Sequence, residues 1–248
     1  MTSRIRHAMV FAAGLGTRMR PLTRTTPKPL IEVGGRALLD HTLERLAEAE
    51  LERIVVNTHH LAEQIAAHLL VRWSHLAIQI SHEDPILETG GAIVRALPLL
   101  GDEPFFCANA DSIWVDAEQS ALSRLASAFD PTRMDALLLV HPVERALGYH
   151  GPGNFDLVRG GEEARTLRRH EHAPYVFTGV QILHPRLFRG RREEPFSLRE
   201  IYRAAEQPDG TLHRVFGLLH DGDFLHVGSP DEHAEAEAYF SERRSPQA

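Results

Sequence analysis

Cysteine, lysine and tryptophan are scarce in this 248-residue chain, which holds one Cys, one Lys and two Trp. A lone Cys107 can neither close an internal disulfide nor build a Cys-rich zinc site. That excludes a disulfide scaffold and makes a reducing, cytoplasmic compartment the expectation. No apolar run approaches the roughly 18 residues that a membrane span needs. The short apolar stretch 8–13 follows Arg4 and Arg6, but Arg18 and Arg20 come too soon after it for a secretory signal. Hydrophobic residues at 43% and charged residues at 25% are globular values, which exclude collagen, coiled coil and disorder. Neither an internal repeat nor a low-complexity tract is present. The length allows one large domain or two small ones.

The net charge is −7, yet the chain starts positive. Its first 36 residues carry Arg4, Arg6, Arg18, Arg20, Arg24, Lys28 and Arg36 against one acid, Glu32. That is a local +6, which leaves −13 for the other 212 residues. A confined positive patch on an acidic chain suits a small anionic ligand better than a nucleic-acid surface. The sole lysine, Lys28, stands among 26 arginines. In a chain that otherwise uses Arg, an ammonium there points to a need for a compact point charge; chance placement is the competing reading.

Periodicity predicts strands over 8–12, 53–58, 77–81, 104–109 and 136–140. Helices are predicted over 38–49, 61–70, 90–100 and 116–129. This alternation implies a single Rossmann-like three-layer α/β domain with a mixed, mainly parallel sheet. Beyond about residue 142 the pattern loosens. Residues 148–161 read as loops with short strands, then strands at 176–183, 212–219 and 224–227, and helices at 197–205 and 230–240. Ser229 is the expected N-cap of the last helix. The domain is expected over 1–242, with halves meeting near 142, and a frayed tail over 243–248.

The first turn carries the strongest chemical signal: Ala12-Ala13-Gly14-Leu15-Gly16-Thr17-Arg18. Glycines after a strand let backbone N–H groups approach a phosphate. Two common phosphate loops are excluded. The dinucleotide fingerprint needs Gly at the place of Met19, and the Walker loop needs G-K-[ST]. An ordinary tight turn is the plain alternative. Arg18 and the run Thr26-Pro27-Lys28-Pro29-Leu30 weigh against it, because the flanking prolines hold the lysine in an extended stretch. Asp111 follows a predicted strand, where ligands of open α/β sheets collect; helix capping is its alternative role.

Read as A-A-G-x-G-T-R-x-x-P-L-T-x-x-x-P-K-P-L, residues 12–30 resemble the signature of the sugar-1-phosphate nucleotidyltransferases. Leu87-Glu88-Thr89-Gly90-Gly91, Asn109-Ala110-Asp111, Thr178-Gly179-Val180 and Val227-Gly228-Ser229-Pro230 fit the same family, so the likeness covers roughly 5–240. It implies nucleotide binding by Gly14, Gly16, Thr17, Arg18 and Lys28, with Gly90 and Gly91 against the base. Arg18, Lys28 and Asp111 are the implied catalytic residues, and Asp111 the implied Mg²⁺ ligand. The nucleotide half would be 1–142 and the sugar half 143–242. Asn154, Glu171, Thr178 and Gly179 are the candidate sugar-phosphate residues, and His184 a further one. The L-E-T-G-G stretch is most similar to family members that transfer uridylyl from UTP to N-acetylmuramate 1-phosphate in cell-wall sugar recycling. Guanylyl or thymidylyl transfer to another hexose or heptose 1-phosphate is the alternative within the class. The implied reaction is an in-line displacement at the α-phosphorus that releases pyrophosphate and needs positioning and charge neutralisation.

One position departs from the family. Where its W-x-D-[VI]-G-T-P motif places a second metal-binding Asp, this chain has His226, and imidazole suits softer metals than Mg²⁺. Three readings follow: metal held by Asp111 and phosphates alone, a changed metal preference, or an impaired enzyme. The last would make the chain a non-catalytic sugar-nucleotide sensor. The 16 histidines include no H-E-x-x-H spacing, and His59, His60, His170 and His172 read as solvated loop residues.

Overall fold

The computed structural model of the chain describes residues 4–161 and 163–244. Its first half alternates as the sequence predicts: β1 (His7–Phe11), a two-residue hairpin of β2 (Glu32–Val33) and β3 (Arg36–Ala37), α1 (Leu38–Glu48), β4 (Arg53–Thr58), α2 (Ala62–Arg72), β5 (Ile78–His82), α3 (Glu88–Leu100) and β6 (Phe105–Asn109). Then come β7 (Ser112–Val115), α4 (Ala121–Ala128), β8 (Ala136–Pro142), β9 (Gly153–Gly160), β10 (Ala164–Ala173), β11 (Tyr175–Leu183), α5 (Leu198–Ala204), β12 (Thr211–Leu219), β13 (Asp223–His226) and α6 (Pro230–Arg244).

Among the described residues, nine strands form one mixed sheet in the order β5-β4-β1-β6-β11-β8-β12-β10-β9. Strands β5, β4, β1 and β6 are parallel, as is the β8–β12 pair; β11, β10 and β9 run against their neighbours. Alternation along each strand feeds two cores. Val10, Val56 and Phe106 face Leu39, Leu43, Ile65 and Leu125 on one side. Met9, Val55 and Cys107 face Ile93, Leu100 and Ile201 on the other. That is a three-layer α/β/α arrangement with β1 and β4 buried on both faces, hence their unbroken apolar runs. No described helix is long and apolar enough to cross a membrane.

Several expectations need correction. The helix predicted over 116–129 begins only at Ala121. Residues 112–115 ahead of it form β7, which pairs antiparallel with β13, and Asp116 Oδ1 accepts from the N–H of Ala121. The region read as loops with short strands holds one strand, β9, of eight residues, and β10 went unpredicted. Arg243 and Arg244, expected in the tail, continue α6; residues 245–248 of the expected tail lie outside the described residues. Ser229 does cap α6, accepting from the N–H of Glu232 at 3.3 Å.

Candidate active site

Strand β1 runs into the Gly-rich loop at its carboxyl end. Gly16 turns there with φ +61°, a conformation that disfavours a side chain. A Cβ on it would also meet Thr23 and the Cβ of Lys28 at 2.9 and 3.0 Å. The Thr23 hydroxyl donates to the Gly16 carbonyl at 2.7 Å, so the loop folds back on the segment that bears the lysine. Lys28 opens a short 3₁₀ turn between Pro27 and Pro29 and is buried. Its Nζ donates to Oδ2 of Asp111 at 2.5 Å.

Asp111 sits in the tight connection between β6 and β7. Pairing of β13 with β7 sets His226 opposite Ser112, beside Asp111. Burial opposes ionisation of Asp111, but the Lys28 ammonium outweighs it and, with help from His226, holds the carboxyl below its ordinary value. The imidazole of His226 is held below its own ordinary value by burial; Asp111 and Glu232 pull the other way, while Lys28 and Arg18 add to the lowering. His226 Nε2 lies 3.8 Å from Oε2 of Glu232, which accepts from the N–H of Gly228 at 2.5 Å. A Cβ on Gly228 would lie 2.8 Å from Glu232, 2.8 Å from His226 and 3.1 Å from the Arg18 guanidinium. Gly228 is thus glycine because three polar side chains close over its backbone. Glu232 was not legible as a site residue, since it reads as a helix-start acid.

Two cavities adjoin this centre. The first, about 240 Å³, is lined by Gly14, Lys28, Asn57, Glu83, Thr89 and Asp111, among others. Asn57 Oδ1 accepts from the Ala12 N–H at 2.7 Å, and its Nδ2 donates to Oε1 of the fully buried Glu83 at 2.6 Å. The other carboxylate oxygen of Glu83 accepts from the Leu87 N–H at 2.8 Å. This network ties the Gly-rich loop to the start of α3. Its members were missed, although Asn57 stands at the end of a parallel strand, the position that drew attention to Asp111.

The second cavity, about 880 Å³, opens between β9, β10, β11 and α5, and shares Phe11, Thr89 and Asn109 with the first. Asn154 and Glu171 line it, and so do His170 and His172, which lie on β10 and not in a solvated loop. Thr178 does not line it: the residue is buried, and its hydroxyl donates to the Leu139 carbonyl at 2.9 Å. Gly179, with φ +88°, packs against Asn109 and Ser112; a Cβ would lie 2.7 Å from Asn109 Nδ2 and 2.8 Å from Ser112 Oγ. His184 is also away from the cavity, capping the turn that begins at Pro185.

Gly90 and Gly91, expected against the base, pack against the 194–196 segment. Both N–H groups point to the Phe196 carbonyl, at 2.8 and 3.3 Å. A Cβ on Gly90 would lie 2.2 Å from the Phe196 ring, and one on Gly91 2.2 Å from the Glu194 carbonyl oxygen. These glycines admit the 194–196 segment; Glu88 and Thr89 line the first cavity instead. Gly14 lines that cavity, whereas Thr17 and Arg18 are exposed at its approach.

The nucleotidyl transferase family pattern matches residues 7–152. The chain is 44% identical over 239 residues to the N-acetylmuramate alpha-1-phosphate uridylyltransferase of Caulobacter vibrioides, covering 95% of this chain and 97% of that one. The protein of the same name from Neisseria meningitidis serogroup B is 35% identical over 237 residues, covering 93% and 96%. A solved UDP-glucose pyrophosphorylase complexed with UDP-glucose superposes with a TM-score of 0.78 over 97% of this chain and all of that one. At 18% identity, it shows the shared fold. Matches of such length reach both cavities and not the Gly-rich loop alone, and they make this chain a member of the nucleotidyl transferase family, among its sugar-1-phosphate nucleotidyltransferases.

Proposed function

We propose that the chain transfers a uridylyl group from UTP to N-acetylmuramate 1-phosphate, with release of pyrophosphate. The observation that carries this reading is the Lys28–Asp111 pair lining the smaller of two contiguous cavities. The names of the two relatives that match nearly full length support the choice of substrates. The smaller cavity is lined by residues before 112 and the larger mostly by residues after 150, so the nucleotide belongs in the first and the sugar in the second.

An oxygen of the sugar phosphate attacks the α-phosphorus of UTP. The bond from that phosphorus to the bridging oxygen breaks, and pyrophosphate leaves with the electron pair. No protein nucleophile is needed; the demand is for alignment and charge neutralisation. Lys28 lies where its ammonium can face both the α-phosphate and the incoming phosphate. Arg18, exposed beside the Gly-rich loop, meets the departing pyrophosphate. His226, neutral at pH 7, offers a hydrogen bond without adding charge.

The residues fit a Mg²⁺ ion of the phosphate-bridging kind. Asp111 is held ionised with only Oδ2 on Lys28, and no group of three or more His, Cys, Asp or Glu forms a closed cage among the described residues. Mg²⁺ commonly takes one or two carboxylates plus substrate phosphates. Asp111 would hold the ion, which when bound neutralises phosphate charge. A carboxylate at position 226 is not required for that.

The test is pyrophosphate release with each of four nucleoside triphosphates against N-acetylmuramate, N-acetylglucosamine, mannose and glucose 1-phosphates. Fastest turnover of UTP with N-acetylmuramate 1-phosphate is expected. A preference for GTP with mannose 1-phosphate would reassign the substrates, and silence with every pair would favour the sensor.

A further inference from the structure

The larger cavity holds more positive charge than its own walls neutralise. Arg169, on β10, is paired with Glu206 at 3.1 Å. Arg199 and Arg203, one turn apart on α5, line the same space and are exposed; among the described residues neither has an ion-pair partner. Like charges at i and i+4 on a helix repel. Two such guanidinium groups on one cavity wall therefore cost the free protein something that a bound anion would return.

That anion is not the reacting phosphate, whose partners Lys28, Arg18 and His226 gather at the other end, around Asp111 and Gly228. Tyr149 links the two ends. Its ring meets the His226 ring edge-on, with centroids 5.7 Å apart, and its hydroxyl donates to the carbonyl of Pro152, on the cavity wall, at 2.7 Å. Glu171 also lines this cavity and offsets one of the two guanidinium charges, which leaves the wall with one positive charge in excess. Its uncharged polar residues include Asn154, Gln181, and Tyr202, whose hydroxyl donates to Gln181. Such a wall suits hydroxyl and amide groups of a sugar ring.

We propose that Arg199 and Arg203 read a carboxylate carried by the sugar and so determine specificity for an acidic sugar 1-phosphate over its neutral counterpart. This rests on the substrate reading above, since N-acetylmuramate is N-acetylglucosamine bearing a lactyl ether and hence a carboxylate. The planar guanidinium fork matches a carboxylate in two parallel hydrogen bonds, which an ammonium cannot reproduce.

The experiment compares N-acetylmuramate 1-phosphate with N-acetylglucosamine 1-phosphate as substrates of wild type, R199Q, R203Q and R199Q/R203Q, with UTP and Mg²⁺. Calorimetric binding of the two corresponding UDP-sugars is measured in parallel. Melting temperatures establish that each variant folds. The expected result is a wild-type preference for the acidic sugar in kcat/KM and in affinity. The ratio of acidic to neutral falls about 10- to 100-fold in the double variant, the range for a lost hydrogen-bonded charge pair. R203K and R199K should each keep more of the ratio than the Gln variants do. A double variant that is folded but retains the wild-type ratio overturns the proposal, as does an equal loss on both sugars. If wild type itself shows no preference in turnover or binding, both the substrate reading and this inference fail. If wild type prefers the acidic sugar and the double variant does too, only the inference fails.

Discussion

The ammonium of Lys28 and the carboxylate of Asp111 meet at 2.5 Å across 83 positions of chain, and each lines the smaller cavity. In this pair Lys28 is the more buried partner. Its ammonium is fixed before any phosphate arrives, and its charge keeps Asp111 ionised. On the proposed role, loss of the lysine removes a phosphate contact and the charge that offsets the burial of Asp111. K28A is expected to lower pyrophosphate release about 10²- to 10³-fold, the range for losing one pre-positioned charge-stabilising donor. K28R should fall between, because a planar fork does not reproduce a compact point charge. Full activity of K28R in initial-rate assays would overturn the role given to the point charge.

Gly90 and Gly91 make a different prediction. Their missing side chains leave room for Phe196 and the Glu194 carbonyl. A methyl group at position 91 would strike backbone, which cannot rotate away. G91A is expected to cost about 1–3 kcal/mol by overpacking, visible as a Tm lowered by about 2–10 °C. G90A should cost less, since the Phe196 ring can shift. Unchanged melting of G91A together with a raised KM for UTP would restore the glycines to the nucleotide.

The strands of the first half were legible because β1, β4 and β6 are buried on both faces and show as apolar runs; β4 was predicted to the residue. β10 was not, because its run Arg168-Arg169-His170-Glu171 has no apolar residue, and Arg169, His170 and Glu171 line the larger cavity. Its pairing with β9 and β12, not an apolar pattern, makes it a strand. β7 is four residues long and finds its partner, β13, more than a hundred residues on. The Gly-rich loop, Lys28 and Asp111 were legible through their spacing. Asn57, Glu83, Arg199, Arg203 and Glu232 were not, since each is unremarkable until the fold assembles its neighbours.

The contact between His226 and Glu232 sets the outcome of replacing the histidine. A carboxylate at 226 would face Oε2 of Glu232, now 3.8 Å from the imidazole nitrogen. H226D is expected to lose about 1 kcal/mol through like-charge repulsion, a Tm drop of about 2–4 °C. E232Q added to H226D should recover it, since the amide oxygen still accepts from Gly228. H226A should lower activity about 10- to 100-fold, as for a lost partner behind a metal or phosphate. Thermal melts of the three variants test the pairing; no recovery in the double variant would mean that Glu232 does not sense residue 226.

His141 gives the pH dependence. Its ring is completely buried on β8, with centroids 5.7 Å from His220 and 5.9 Å from Phe224. Burial above all, and then the neighbouring His220, lower its pKa from 6.5 to about 4. As pH falls below 6.5 the unfolded chain takes up a proton that the folded one refuses. Stability is therefore lost between pH 6.5 and 4, and it is fully present above that window. The loss amounts to about 2 kcal/mol by pH 5 and about 3 kcal/mol at its limit. His41, His184, His220 and His226 are lowered in the same direction and steepen the slope. H141F keeps the aromatic volume and has no proton to take up. Urea unfolding at pH 7 and pH 5 should show a smaller drop in H141F than in wild type, by about 2 kcal/mol. An equal drop in the two proteins would show that His141 is already protonated in the folded chain, or that it is not buried as described.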